Sequence, residues 1–258
     1  MVTTTLRRRT GFTIVEILIV IIIILILAGL LLPAVLSAVR LARRTAARVE
    51  VQGLSVAMEQ YKDDFAVYPP SCVWWEWTGG GSKPDWPSGW PDDREWHTTY
   101  PGTWNSDTMD TMDGAECLVY FLGGGPRFEG FDAGAQIYGP YYDFKPDGLI
   151  DIDHDGFREM QDAFRNGQAY IYFKADRSKP GAQYTASDNA QILDGGGKRA
   201  DGSFIPAGPG EPIRDSSDNF FLPTKFQIIC AGGDGRYARR ADGDDASKDD
   251  ITNFLIAH

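Results

Sequence analysis

From Ile17 to Val39 no side chain is charged, and Ile19 to Leu27 is an unbroken aliphatic run. About 20 such residues, wound as a helix, cross the hydrocarbon of a bilayer. Gly29, Pro33 and Ser37 interrupt the run mildly, and residues of this kind are tolerated in membrane helices. The period then changes. Ala47, Val51, Leu54, Met58 and Tyr61 recur at steps of four and three, while Arg44, Arg48, Gln52, Glu59 and Lys62 take the polar positions between them. That spacing predicts an amphipathic helix with one buried stripe. Asp63-Asp64 and Pro69-Pro70 end it. The pattern predicts one helix over 12–66 and roughly 80 Å long at 1.5 Å per residue, with a transmembrane part over 17–39 and an amphipathic part over 40–64.

Downstream, apolar runs are short and separated by Gly, Asp, Ser and Pro. Ala115 to Leu122 reads as a second helix stopped by Gly123-Gly124-Gly125. Ala169 to Lys174 and Lys225 to Cys230 read as strands, and Ala182 to Thr185 as a shorter one. All seven tryptophans lie within 71–116, where neither a helical nor a strand period survives. We read an irregular insertion there: an aromatic mini-core fastening the loop, or a surface for a glycan or protein partner. The fold class is α+β, a long N-terminal helix packed on an antiparallel sheet head (67–258) with long loops.

Composition narrows the function. The chain has 25 basic and 36 acidic residues and a net charge of −11. That balance excludes the basic footprint needed for nucleic acid. Three histidines, with no Ser/His/Asp or Cys/His spacing, no zinc-protease motif and no phosphate loop, give no catalytic constellation. We expect no enzyme. Cys72, Cys117 and Cys230 have no C-x-x-C spacing, so the choice between one disulfide and buried thiols stays open.

One acid stands out. Glu16 sits at the edge of the apolar run, where insertion of a carboxylate costs on the order of 2.5–3.5 kcal/mol. A secretory signal peptide has a shorter core, and a plain anchor has no use for the acid. Arg7, Arg8 and Arg9 precede the run, and Arg40, Arg43, Arg44 and Arg48 follow it, so charge counting leaves the orientation nearly tied. The four distal arginines read either as headgroup snorkels or as pairing groups between subunits.

Two further loops are acidic. Asp151, Asp153, Asp155 and Gly156 form the D-x-D-x-D-G start of an EF-hand-type loop, with Glu159 at the ninth position and Asp162 at the twelfth. The alternative is an acidic surface turn. The second loop runs from Gly232 through Asp234 to Asp249 and Asp250. Clustered carboxylates on flexible backbone suit Ca²⁺ better than Mg²⁺.

The segment Arg8-Arg-Thr-Gly-Phe-Thr-Ile-Val-Glu16 resembles the leader and cleavage site of type IV prepilins and type II secretion pseudopilins. The resemblance implies a pilin-like fold and a leader, residues 1–11, cut by prepilin peptidase after Gly11. Phe12 would then be N-methylated, and Glu16 would be the family's signature carboxylate. Losing that leader leaves 22 basic against 36 acidic residues, a charge of about −14. The Phe12 amine of one subunit would neutralise Glu16 of another as the filament grows. Asp162 to Tyr172 resembles a turn-and-strand segment of major pseudopilins, lacking both prolines and with Phe164 for the tryptophan. In that alignment Asp162 belongs to a turn. Asp234, Asp249 and Asp250 match the C-terminal calcium loop of the same proteins, although the intervening segment with Asp242, Asp244 and Asp245 is longer.

The expectation is a subunit of a type II secretion pseudopilus, closest to the G-type major pseudopilins. It would be held in the bacterial inner membrane by a single pass, N-terminus cytoplasmic and head extracytoplasmic, and polymerised into a periplasmic filament. Its implied partners are other copies of itself, the peptidase, the inner-membrane assembly platform with its ATPase, and minor pseudopilins. A type IV pilin or minor pilin for adhesion or motility is the alternative favoured by the tryptophan-rich insertion. A membrane-anchored calcium-dependent binding module that never polymerises is a third.

Overall fold

In the computed structural model the described residues are 13–74, 111–125, 131–132, 137–152, 157–164, 167–176, 184–190, 192, 197–198, 204–205, 210–215, 217–237 and 249–254. Gly11, Phe12, Asp153, Asp155 and most of the tryptophan-rich insertion lie outside them. The chain divides into two compact units, residues 1–42 and 43–258.

The helix α1 runs Ile14–Phe65, within two residues of its expected ends. In the first unit every large apolar side chain from Ile14 to Leu41 is exposed. At ~1.5–3 kcal/mol per large apolar side chain, leaving this run in water costs tens of kcal/mol. Lipid or other chains must cover it. Among the described residues α1 is the one helix long and apolar enough to cross a membrane. Pro33 has no N–H to give the Gly29 carbonyl, and Ser37 Oγ donates to the Ala34 carbonyl at 2.8 Å one turn on.

In the second unit, α1 buries Ala47, Val51, Leu54, Ala57, Met58 and Tyr61. This is the stripe set by its 3.6-residue period. Helix α2, Gly114–Gly123, is buried on every side. Asp113 caps it: Oδ1 accepts from the Ala115 and Glu116 amides at 2.8 and 3.1 Å, while Glu116 Oε2 accepts from the Asp113 amide at 2.7 Å. Gly124, at φ 84°, closes the other end in the left-handed region open to glycine.

The strands, in chain order, are β1 (Val73–Trp74), β2 (Thr111–Met112), β3 (Phe131–Asp132), β4 (Ile137–Tyr138), β5 (Leu149–Ile150) and β6 (Glu159–Met160). They continue with β7 (Ile171–Lys174), β8 (Gly197–Lys198), β9 (Phe204–Ile205), β10 (Phe226–Cys230) and β11 (Ile251–Thr252). The main sheet is antiparallel, order β11-β10-β7, in register Ile228↔Tyr172 and Cys230↔Ile251. Among the described residues there are also four two-stranded ribbons: β1-β2, β3-β4, β5-β6 and β8-β9.

Alternation along the strands sorts the core. Tyr170, Tyr172, Phe226, Ile228 and Cys230 pack with the α1 stripe and α2. Ile171, Phe173 and Ile229 point the other way, into a second cluster with Ile213, Phe220 and Tyr237. Central β10 is therefore buried on both faces. Its one polar side chain, Gln227, is matched by backbone: Oε1 accepts from the Ile213 amide at 2.7 Å, and Nε2 donates to the Ile213 and Phe221 carbonyls.

The expected strand at 182–185 does not form where it is described. Thr185 leads instead into a 3₁₀ turn, Ala186–Asn189. Tyr184 turns its ring into the second cluster, against Phe220, and its hydroxyl donates to the Leu222 carbonyl.

Candidate functional site

In the first unit, Thr13 and Glu16 satisfy each other. Glu16 Oε2 accepts from the Thr13 amide and hydroxyl, both at 2.8 Å, and the Glu16 amide donates back to Thr13 Oγ1 at 3.2 Å. This is a capping box on the first turn of α1. The T-x-x-E spacing ahead of an apolar run was readable from sequence, but the acid drew attention only as an anomaly. In the structure it is held by its own chain, with its carboxylate at the helix N-terminus.

In the second unit, β10 delivers the chain into a turn at Gly232–Gly235. Gly232 has φ 67° and Gly235 φ 71°. A Cβ on Gly232 would lie 2.4 Å from the Asp249 carbonyl oxygen, so this position needs glycine for both its torsion and its space. The turn aims two successive amides outward. Gly233 and Asp234 N–H donate to Asp249 Oδ2 at 2.7 and 3.1 Å. Asp234 Oδ1 accepts from the Arg236 amide at 2.9 Å.

Asp234, Asp249 and Asp250 each bring a carboxylate oxygen within 4.8 Å of the others. Two oxygens on opposite sides of a Ca²⁺, each at 2.3–2.6 Å, stand about 4.6–5.2 Å apart, and adjacent ones stand closer. Carboxylate oxygens this close are a candidate donor set for one hard cation. Two guanidinium groups partly offset them: Arg236 lies 3.8 Å from Asp234 Oδ2, and Arg44, on α1, 4.0 Å from Asp249 Oδ2. By sequence alone Arg44 reads as a headgroup snorkel or as a pairing group between subunits. Its contact to a residue about 200 positions away has no local signal. Asp242, Asp244 and Asp245 lie outside the described residues.

The EF-hand-like segment connects β5 to β6, which pair Leu149↔Met160 and Ile150↔Glu159. Glu159 is fully buried on β6, and its Oε2 accepts from the Ile152 amide at 3.0 Å. That carboxylate thus holds the backbone two residues past β5. Asp151 is half-buried at the loop mouth.

Asp162 takes the turn role. It is buried, and its Oδ1 accepts from the Phe164 amide at 3.0 Å while the Cys230 thiol approaches Oδ2 at 3.7 Å. Burial, with a smaller contribution from the Glu50 charge, outweighs those hydrogen bonds and pushes its pKa up to about 6. Glu50 itself accepts from the Tyr170 hydroxyl at 2.5 Å, tying α1 to β7's edge.

An exposed apolar helix of this length, leading into an α+β head with an antiparallel sheet, is the architecture of a pilin-like subunit. Residues 6–32 match the family model of the prokaryotic N-terminal methylation motif. The chain thus has a type IV prepilin-like N-terminal segment. Such a segment implies, in general, processing by prepilin peptidase, membrane anchoring and polymerisation, in proteins that are structural rather than enzymatic. The match covers none of the head. No curated protein and no solved structure matches the chain.

Proposed function

We propose that the chain is a structural subunit of a type II secretion pseudopilus, of the G-type major class. After cleavage between Gly11 and Phe12 and methylation of Phe12, it would polymerise through α1 and support protein secretion. Its partners would be other copies of itself, the peptidase, the inner-membrane assembly platform with its ATPase, and minor pseudopilins. The head would be extracytoplasmic and the N-terminus cytoplasmic. The observation that favours the secretion class is the convergence of Asp234, Asp249 and Asp250 behind the Gly232–Gly235 turn. These three would hold a structural Ca²⁺, whose charge would let the carboxylates share one point and so fix the β10–β11 connection. Asp151, Asp153, Asp155 and Glu159 are a second candidate set, of which Glu159 is already engaged by the Ile152 amide.

Heating the protein with Ca²⁺ and with a chelator tests the metal. The midpoint should fall by several degrees on chelation, and Asp249→Asn should abolish the difference. Equal melting curves would remove the calcium loop, and with it the reason for preferring the secretion class. Mass spectrometry of the native N-terminus tests processing independently, since a methylated Phe12 is expected and an intact leader would overturn polymerisation. The roughly 40-residue insertion between β1 and β2 favours the second reading, a displayed pilin or minor pilin. Labelling of the head on intact cells would decide for it.

A further inference from the structure

Cys72 and Cys117 flank the tryptophan-rich insertion, and the fold returns them to one place. Cys72 directly precedes β1, whose Val73 pairs with Met112 on β2. Cys72 adjoins Val73 and Asp113 adjoins Met112, so both sit next to that paired position. Asp113 is the N-cap of α2, and the Cys117 amide donates to its carbonyl at 2.9 Å across the first turn. The Cys117 side chain folds back towards the strand, with Sγ 3.9 Å from the Met112 carbonyl. Both cysteines thus adjoin the Val73–Met112 pair that closes the base of the insertion. Residues leading into Cys72 are fixed: the Tyr172 hydroxyl donates to the Pro69 carbonyl at 2.7 Å, and the Ser71 hydroxyl bonds the Asp188 carboxylate.

We propose that Cys72 and Cys117 form a disulfide that locks the base of the insertion when the chain meets a disulfide-bearing oxidant. The third cysteine is placed elsewhere, with Cys230 buried on β10 against Asp162. Access is asymmetric. Cys72 is half-buried and lines an open cavity of about 470 Å³ with Tyr68, Lys174 and Asp188, whereas Cys117 is fully buried. Burial holds the Cys117 thiol well above its ordinary pKa, and the Cys72 sulfur lies close enough to add to that shift. The Cys72 thiolate therefore attacks the oxidant's disulfide first, displacing one of its sulfurs as a thiolate. Cys117 then attacks the Cys72 sulfur of the mixed disulfide and displaces the other. The two protons from the cysteines go to the two released thiolates, so the oxidant's disulfide becomes a dithiol. The product closes a loop of about 45 residues, a length for which the cross-link removes much unfolded-state freedom.

Whether the pair is oxidised in cells rests on the extracytoplasmic placement proposed above. The test separates the two. The full chain, purified in detergent with its thiols reduced, is incubated with oxidised and reduced glutathione, alkylated and mapped by mass spectrometry. A Cys72–Cys117 peptide two hydrogens lighter than its parts is expected, with Cys230 alkylated after unfolding and a melting midpoint raised by several degrees. Alkylation of both Cys72 and Cys117, or a link from either to Cys230, would overturn the proposal. In Cys72→Ser no link should form, and one between Cys117 and Cys230 would equally overturn it. Cells quenched with acid before lysis should show the same linked peptide. A chain that pairs in glutathione but stays reduced in cells keeps the disulfide chemistry and overturns the placement of the head.

Discussion

Glu16 has a partner before any neighbour arrives. The Thr13 amide and hydroxyl hold its carboxylate, so an incoming Phe12 amine would have to replace or share those bonds. An N-cap of this kind contributes about 1 kcal/mol. Thr13→Ala should therefore speed amide exchange over the first turn of α1 about fivefold in micelles, measured by mass spectrometry, and leave the head unchanged. Unchanged exchange would mean the box is not populated. Asp162 makes a second prediction at this scale. Its folded pKa is raised from about 4 to about 6, so the native state binds the proton more tightly than the unfolded chain does. The associated stability is present below pH ~4 and is lost as pH rises through ~6. The groups facing Asp162 include Glu50, Cys230, the tyrosines Tyr170 and Tyr237, and the backbone of Phe164 and Gln168, and no cation is among those that shift it. Asp162→Asn keeps the acceptor for Phe164 and removes the titration. Denaturant titrations should find the variant more stable at pH 7.5 by on the order of 1–3 kcal/mol, with the gap closing near pH 4. A gap that is constant with pH would contradict the buried carboxylate.

At the scale of elements, legibility follows the strength of the local period. The α1 stripe is readable because about four turns of helix repeat one pattern, and every residue assigned to it, Ala47 to Tyr61, is buried. Strands β7 and β10 were readable as short aliphatic-aromatic runs, because a strand covered on both faces has no polar alternation to hide it. Strand β11 was not: Ile251-Thr252 is two residues long, and only pairing with Cys230 and Ile229 makes it a strand. The C-terminal acidic turn was readable from Gly232, Asp234 and the Asp249-Asp250 pair, whereas its tie to Arg44 was not, since nothing in a sequence marks a contact across that separation. Two caps, the exposed Thr13–Glu16 and the buried Asp113–Glu116, have explicit spacing in the sequence but are masked by the stronger hydrophobic periods beside them. The stripe also sets a contrast on one helix. Leu54→Ala removes a fully buried side chain and should cost about 2–5 kcal/mol. Val56→Ala, two residues on, is exposed and should change the unfolding free energy by less than about 0.5 kcal/mol. Similar losses at both positions would mean that the helix face is misassigned.

At the scale of the whole molecule, the two units ask for different solvents. The six buried residues of α1 all lie at or after Ala47, inside the second unit. The exposed apolar side chains of the first unit contribute none of the head's core clusters. Removing residues 1–42 takes away four basic residues and one acidic one, leaving a charge of about −14, enough to keep a domain of this size dispersed. It also leaves Arg43 to Phe65 as a helix already packed along one side, which needs no membrane to hold its shape. The shortened chain, beginning at Arg43, should therefore be soluble without detergent, sediment as a monomer and unfold in one transition at the denaturant midpoint of the full chain in micelles. The full chain, with Ile14 to Leu41 uncovered, should pellet once detergent is withdrawn. If the shortened chain also pellets, or loses its near-ultraviolet aromatic signal, then the head depends on the apolar helix for its fold and the separation of the two units fails.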